Sequence, residues 1–274
     1  MSPSTSPQRS AKSVRLRLEP FEDRAQPSVS AGPVMHPNHV VRPFASAGPS
    51  GGLSPAQVRH AYGFDQLAAD GAGQTIAIVT AYDDPNIGND LAVFDQAFGL
   101  PAPPSFNKAV TPGTAVDGGW AGETALDVEW AHAMAPKASI LLVEAKSAST
   151  SDLLSAVDYA RKQPGVSVVS MSWGGSESSF LASKDSYFTT PAGHTPVTFV
   201  AAAGDSGAEA EWPASSPNVL AVGGTRVRVG SDGSFLGETA WSGSGGGFSR
   251  VYAAPNYQSG VLSGHRGVPD VAYD

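Results

Sequence analysis

The sequence predicts an α/β domain built on a parallel β-sheet flanked by helices. Three observations predict it. Short, uninterrupted apolar runs recur at 75–80, 139–143, 166–171 and 197–202, and such runs mark strands buried on both faces. Segments of helical spacing separate these runs, and strands alternating with helices give parallel sheets with right-handed crossovers. The length of 274 residues, 41% of them hydrophobic, suffices for one large domain plus a tail. In such a sheet the ligand site lies at the C-terminal ends of the strands.

Taken in order, residues 1–52 read as a disordered tail rich in Ser, Pro and Ala. Within it, Arg-Leu-Arg-Leu-Glu-Pro-Phe-Glu-Asp-Arg at 15–24 resembles a short N-terminal motif of some exported bacterial proteins. It carries no apolar core of a secretory signal, and the expected location is extracytoplasmic or secreted. The globular domain is expected over 53–274. Ser54-Pro55 is a helix start, with Ser as N-cap and Pro in the first turn. The run at 75–80 is the first strand, and a helix over 89–98 stops at Gly99. A Gly/Pro-rich stretch at 101–119 precedes a helix stopped by Pro136. Strands at 139–143 and 166–171 flank a helix over 152–162; a helix over 177–188 precedes the strand at 197–202. A strand at 219–222 follows, then a hairpin over 225–241 turning at Ser231-Asp232-Gly233.

Chemistry concentrates at Gly122-Glu123-Thr124-Ala125-Leu126-Asp127-Val128-Glu129-Trp130. Glu123 and Asp127 fall on one helix face, one turn apart, on a wall of apolar neighbours. Desolvation and like-charge repulsion then hold one proton between the two carboxyls, which makes a general base without histidine. An acidic stripe facing water is the competing reading of these two residues alone. After the strand at 197–202, Gly204 and Gly207 permit a tight turn that presents Asp205 at the strand end.

These segments together resemble the sedolisin family of serine-carboxyl peptidases, which share the subtilisin fold. The resemblance rests on Gly-Glu-Thr-Ala-Leu-Asp at 122–127, Ala-Pro-Lys-Ala at 135–138, Val-Val-Ser-Met-Ser-Trp-Gly-Gly at 168–175 and Ala-Ala-Gly-Asp-Ser-Gly at 202–207. Trp-Pro-Ala-Ser-Ser-Pro-Asn-Val at 212–219 and Gly-Gly-Gly-Phe-Ser at 245–249 extend it. It implies acid-favouring endopeptidase chemistry on polypeptides, with Glu123 as general base, Asp127 as its partner and Asp205 as oxyanion donor. It also implies that Ser172, Trp173, Gly174 and Gly175, with residues 201–204, present backbone to an extended substrate. Subtilisin-like enzymes of the ordinary kind resemble Ala-Ala-Gly-Asn where this chain has Asp205, and carry an Asp where it has Val79-Thr80. The family's nucleophile sits in a Gly-Thr-Ser motif downstream of Val-Pro-Asp-Val. Here Val268-Pro269-Asp270-Val271 is followed by Ala272-Tyr273-Asp274, and Gly223-Gly224-Thr225-Arg226 has Arg in the serine's place. The expectation is a subtilisin-like sheet incomplete at the C-terminus, lacking the serine, with a C-terminal segment as its missing partner. No cofactor is expected of this chain, because the family's calcium loop lies later still.

Other functions are weaker. A net charge of −8 with no basic stripe argues against nucleic acid as a partner. No apolar run is long enough for a membrane span. The absence of cysteine removes disulfides and thiol chemistry. Gly204-Asp205-Ser206-Gly207 mimics the nucleophile motif of trypsin-like proteases, whose all-β fold this pattern does not match. Glu129 and His132 stand three apart without a second histidine in metal-ligand spacing, so no metal site is expected. The alternative of another class is a catalytically inactive, peptide-binding remnant. An adhesion module rests on the tail motif alone.

Overall fold

The computed structural model describes residues 33–37, 52–207 and 209–274; the motif at 15–24 lies outside them. Ala31–Asp274 forms one compact unit.

The first strand, β1 (His36–Pro37), comes from the stretch read as tail. It is held because Met35 beside it is buried in the main core. Helix α1 (Pro55–Ala61) begins with a capping box: the Gln57 N–H donates to the Ser54 hydroxyl, and the Ser54 N–H donates back to the Gln57 side chain. Strand β2 (Thr75–Ala81) leads to α2 (Ile87–Phe98), which ends where Gly99 turns left-handed at φ 68°. The Gly/Pro-rich stretch holds a strand that the sequence did not announce, β3 (Phe106–Val110). It is the edge strand of the sheet, so its Asn107 and Lys108 need no apolar neighbours on both sides. Helix α3 (Gly118–Met134) is capped by Asp117, whose carboxylate accepts the Gly119 and Trp120 N–H groups at 3.0 Å.

Strand β4 (Ser139–Ala145), helix α4 (Thr150–Ala160, capped by Ser149) and strand β5 (Val166–Met171) follow as expected. A short strand β6 (Trp173–Ser176) comes next. The single helix expected over 177–188 is instead α5 (Ser179–Ala182) and a separate 3-10 turn at Asp185–Phe188. Serine hydroxyls there bond the backbone locally: Ser178 caps the Leu181 N–H, and Ser183 donates to the Phe180 carbonyl. Phe188 is buried against Phe199 and Trp212, which sets where the second turn must sit. The chain completes β7 (Thr198–Ala202), β8 (Glu211–Trp212), β9 (Leu220–Val229), β10 (Phe235–Ala240), β11 (Gly247–Ala253), β12 (His265–Val268) and β13 (Val271–Tyr273).

The main sheet runs β10-β9-β7-β5-β2-β4-β3, with β13 also paired to β9. All neighbours are parallel except β10, which returns antiparallel to β9 as the expected hairpin. Strand alternation divides the core between the two faces. Ile78, Ile140 and Leu142 pack with Ile87, Leu91 and Val128 on one side. Ala77, Val79 and Val143 pack with Leu153, Leu154 and Val157 on the other. This places α2 and α3 on one face and α4 on the opposite face. The N-terminal half of α3 thus reaches the C-terminal ends of the strands.

Candidate active site

The N-terminal half of α3 carries both carboxylates. Helix periodicity puts Glu123 and Asp127 one turn apart. Thr124 anchors this turn: its hydroxyl donates to the buried Thr80 hydroxyl, at 3.0 Å, near the end of β2. Glu123 is only 1% exposed, so the water-facing reading of the acidic pair does not apply to it. Asp127 is half-buried and accepts a 2.7 Å hydrogen bond from the Ser172 hydroxyl, between β5 and β6.

Burial pushes the Glu123 carboxyl up to about 8, and the nearby negative charge of Asp205 adds to this; hydrogen bonds to Asp127 and Ser172 oppose it. Glu123, Asp127, Ser172 and Asp205 therefore form one electrostatic unit, drawn from α3, the β5–β6 junction and the turn after β7.

That turn is shaped by glycine. Gly204 has φ 112° and Gly207 has φ 76°, conformations that side chains oppose. A Cβ on Gly204 would lie 2.8 Å from the buried Glu211 carboxyl of β8. The turn is braced from above by residues 243–245: the Gly207 N–H donates to the Gly243 carbonyl, and the Gly245 N–H to the Gly204 carbonyl. A Cβ on Gly245 would come within 2.0 Å of the Ala203 carbonyl oxygen. Ser249 of the same motif donates to Glu177 at 2.6 Å and accepts the Val251 and Tyr252 N–H groups. The two glycine-rich motifs are thus halves of one construction.

Trp173, Gly174 and Gly175 lie on β6, all buried. The Trp173 indole N–H donates to the Val79 carbonyl at 2.9 Å, which suspends β6 from the central strand β2. Trp212 packs beside it, with ring centroids 6.3 Å apart.

Over this architecture, the profile described as the subtilase family matches residues 88–263, more than half of the chain. The chain belongs to the subtilase family. Its relatives place it in the sedolisin branch. It is 37% identical to Kumamolisin of Bacillus sp. (strain MN-32), covering 83% of this chain and 46% of that protein. It is 26% identical to Sedolisin of Pseudomonas sp. (strain 101), covering 84% and 45%. Among solved structures it resembles Pseudomonas sedolisin, a serine-carboxyl proteinase complexed with two molecules of pseudo-iodotyrostatin. The TM-score is 0.71 at 27% identity, over 81% of this chain and 70% of that one. The chain spans about half the length of the curated relatives it matches.

This subtilase also places the other residues singled out in the sequence. Ser206 lies exposed on the turn after β7 of a parallel α/β sheet, not in the all-β fold of trypsin-like enzymes. His132 is fully buried further along α3, within 2.8 Å of the Pro101 carbonyl and 3.3 Å of Asp95. Among the described residues no group of three His, Cys, Asp or Glu could hold a metal ion. No helix among them is long and apolar enough to cross a membrane. Sequence reasoning missed Thr80, Thr124 and Glu211. The clue for Glu211 was available, since a glycine as constrained as Gly204 implies a group packed against it.

Proposed function

We propose that this chain carries the base, its partner and the oxyanion donor of a serine-carboxyl endopeptidase that acts on polypeptides and favours acid pH. The observation that carries the reading is Glu123. It is a buried carboxyl hydrogen-bonded to Asp127 and Ser172, with Asp205 close enough to raise its proton affinity.

In the reaction, a serine hydroxyl attacks the substrate carbonyl carbon while its proton passes to ionised Glu123. Asp127, itself held by Ser172, orients Glu123. Protonated Asp205 donates to the developing oxyanion. Collapse of the tetrahedral intermediate breaks the C–N bond, and the amine leaves with the proton from Glu123. Water then hydrolyses the acyl-serine by the same steps in reverse. The productive state needs Glu123 ionised and Asp205 protonated. Repulsion favours states in which the two carboxyls share one proton; the productive arrangement is the one that places it on Asp205, and alkaline solution removes it altogether. Activity is therefore expected on the acid side. Burial leaves few Glu123 carboxyls ionised at low pH but makes each a stronger base.

A second reading, peptide binding without turnover, is favoured by one observation. Gly223-Gly224-Thr225-Arg226, which mimics the nucleophile motif, carries Arg in the serine's place and lies in β9, with Thr225 and Arg226 paired to β10. The experiment joins the chain, after Val271, to a C-terminal segment from a relative that carries the family's Gly-Thr-Ser motif. Digestion of a denatured polypeptide is then followed from pH 3 to 8. Acid-side turnover that falls about 10²–10³-fold in Asp205→Ala, and at least as far in Glu123→Gln, supports the peptidase reading. A folded chimaera that binds peptide without cutting it would favour the second.

A further inference from the structure

Asp84-Pro85 is the single Asp–Pro bond of the chain, in the loop between β2 and α2. Asp–Pro is the peptide bond most easily broken by acid. The Asp side chain can close a five-membered anhydride with its own carbonyl carbon, and the departing nitrogen is a secondary amine. Here three contacts hold the residue. The Asp84 N–H donates to the buried Glu144 of β4 at 3.0 Å. One Asp84 carboxyl oxygen accepts the Asn86 N–H at 2.9 Å, a turn that folds the carboxyl over the Asp84–Pro85 peptide group. The Asp84 carbonyl oxygen accepts a hydrogen bond from the Lys108 ammonium of β3 at 2.5 Å.

Lys108 is itself fixed, by Asp83 at 2.6 Å and Glu144 at 2.9 Å. The oxygen that gains negative charge when this carbonyl is attacked therefore already faces a held cation, the arrangement that stabilises oxyanions in enzymes. Fixing the residue at its N–H, carboxyl and carbonyl removes freedom that an unfolded chain retains. The surrounding charges decide when the side chain carries a proton. Asp84 is buried, and burial raises its carboxyl above the usual range; the Asn86 N–H and Lys108 oppose this, while Asp90 of α2 and Asp83 add to it. Glu144 is pushed up to about 7 by burial. In mild acid both carboxyls are neutral while Lys108 keeps its charge. A cavity of about 640 Å³, lined by Lys108 and Glu144, brings water to the two side chains that grip Asp84.

We propose that the folded chain cuts itself at Asp84–Pro85 in acid, with the Asp84 carboxyl as nucleophile and proton donor and Lys108 stabilising the oxyanion. A carboxyl oxygen of Asp84 bonds to the Asp84 carbonyl carbon, and the carboxyl proton passes to the Pro85 nitrogen. The C–N bond breaks, leaving a cyclic anhydride on Asp84 and a free Pro85 amine. Water then opens the anhydride to the two carboxyls of a C-terminal Asp84. The step uses neither Glu123 nor a serine, so it stands apart from the peptidase reading. Strand β2 stays paired to β4 and β5, which keeps the pieces assembled. The new end lies two residues beyond Tyr82, whose ring packs against Trp120 in the first turn of α3, so the cut loosens the support behind the helix of Glu123.

The test incubates the full chain at the lowest pH between 3 and 5 at which near-UV circular dichroism shows it folded. Denaturing mass spectrometry then follows fragments 1–84 and 85–274 over days. A synthetic peptide of residues 81–87, Ala-Tyr-Asp-Asp-Pro-Asn-Ile, is the unfolded reference under the same conditions. The chain should break at this bond at least ~10-fold faster than the peptide, with a first-order rate constant unchanged by tenfold dilution. Lys108→Met should slow the cut at least ~10-fold; in acid the neighbouring Glu144 is neutral, so the substitution strands no charge there. Scission no faster than in the peptide overturns the proposal, as does a rate constant that falls on dilution, the mark of one molecule cutting another. An equal rate in a folded Lys108→Met chain also overturns it. The comparison of chain with peptide needs no variant, so a misfolded Lys108→Met leaves the test decided.

Discussion

Replacing Glu123 with Gln keeps the side-chain shape and removes its proton. In the folded chain, burial and the charge of Asp205 push this carboxyl from 4.5 up to about 8. The folded state therefore holds a proton over a range where the unfolded chain has released it. Because the native state binds more protons there, the stabilisation is fully present below 4.5 and is lost as pH rises toward 8. At ~1.4 kcal/mol per pH unit the loss is capped near ~5 kcal/mol, and local relaxation with water entry brings it to ~2–4 kcal/mol. Urea unfolding of both chains at pH 5 and pH 8 isolates the effect. Glu129 and Glu144 are also raised by burial, each to about 7, but they are common to both chains and cancel in the comparison. The unaltered chain should lose more stability between the two pH values than Glu123→Gln does, by ~2–4 kcal/mol. Equal losses would refute the burial argument for Glu123.

Three further outcomes follow from the packing. Gly245→Ala forces a methyl against the Ala203 carbonyl and should cost about 2–4 kcal/mol in urea unfolding; a neutral result would mean that the turn after β7 yields easily. Arg266 is fully buried, and its guanidinium donates to both Asp270 oxygens, at 2.5 and 2.6 Å. Arg266→Met strands that carboxylate and should cost ~3–5 kcal/mol, while Arg266→Met with Asp270→Asn recovers much of it; the check is a double-mutant cycle by chemical denaturation. Ser149→Ala removes the hydroxyl that accepts the Asp152 N–H at the start of α4, for about 1 kcal/mol read as a lower thermal midpoint.

What the sequence made legible was decided by burial. Strands β2, β4, β5 and β7 lie in the middle of the sheet, and burial on both faces writes them as continuous apolar runs. Strand β3 sits at the edge, where Asn and Lys are tolerated, and it passed for loop. Strand β6 is Trp-Gly-Gly-Ser, too short and too small-sided for any periodicity. The spacing of Glu123 and Asp127 was readable because helix geometry is local. The Ser172 hydroxyl that meets Asp127 comes from 45 residues away in sequence, and only the closed sheet brings it there. Met35 was illegible for a related reason. One apolar side chain in a Pro- and Ser-rich stretch gives no pattern, and what holds it is a pocket made by other segments.

The turn bearing Asp205 has a consequence for inheritance. Gly204 is pressed from one side by Glu211, while Gly245 lies against Ala203 and gives its N–H to Gly204. These residues are dispersed along the gene but share one volume. A side chain gained at Gly204 meets the Glu211 carboxyl, and one gained at Gly245 meets the Ala203 and Gly204 backbone, so drift at these positions is permitted only in concert. Among descendants of this sequence, the turn at 203–207 and the loop at 243–246 should change together or not at all, even where the strands that carry them diverge freely.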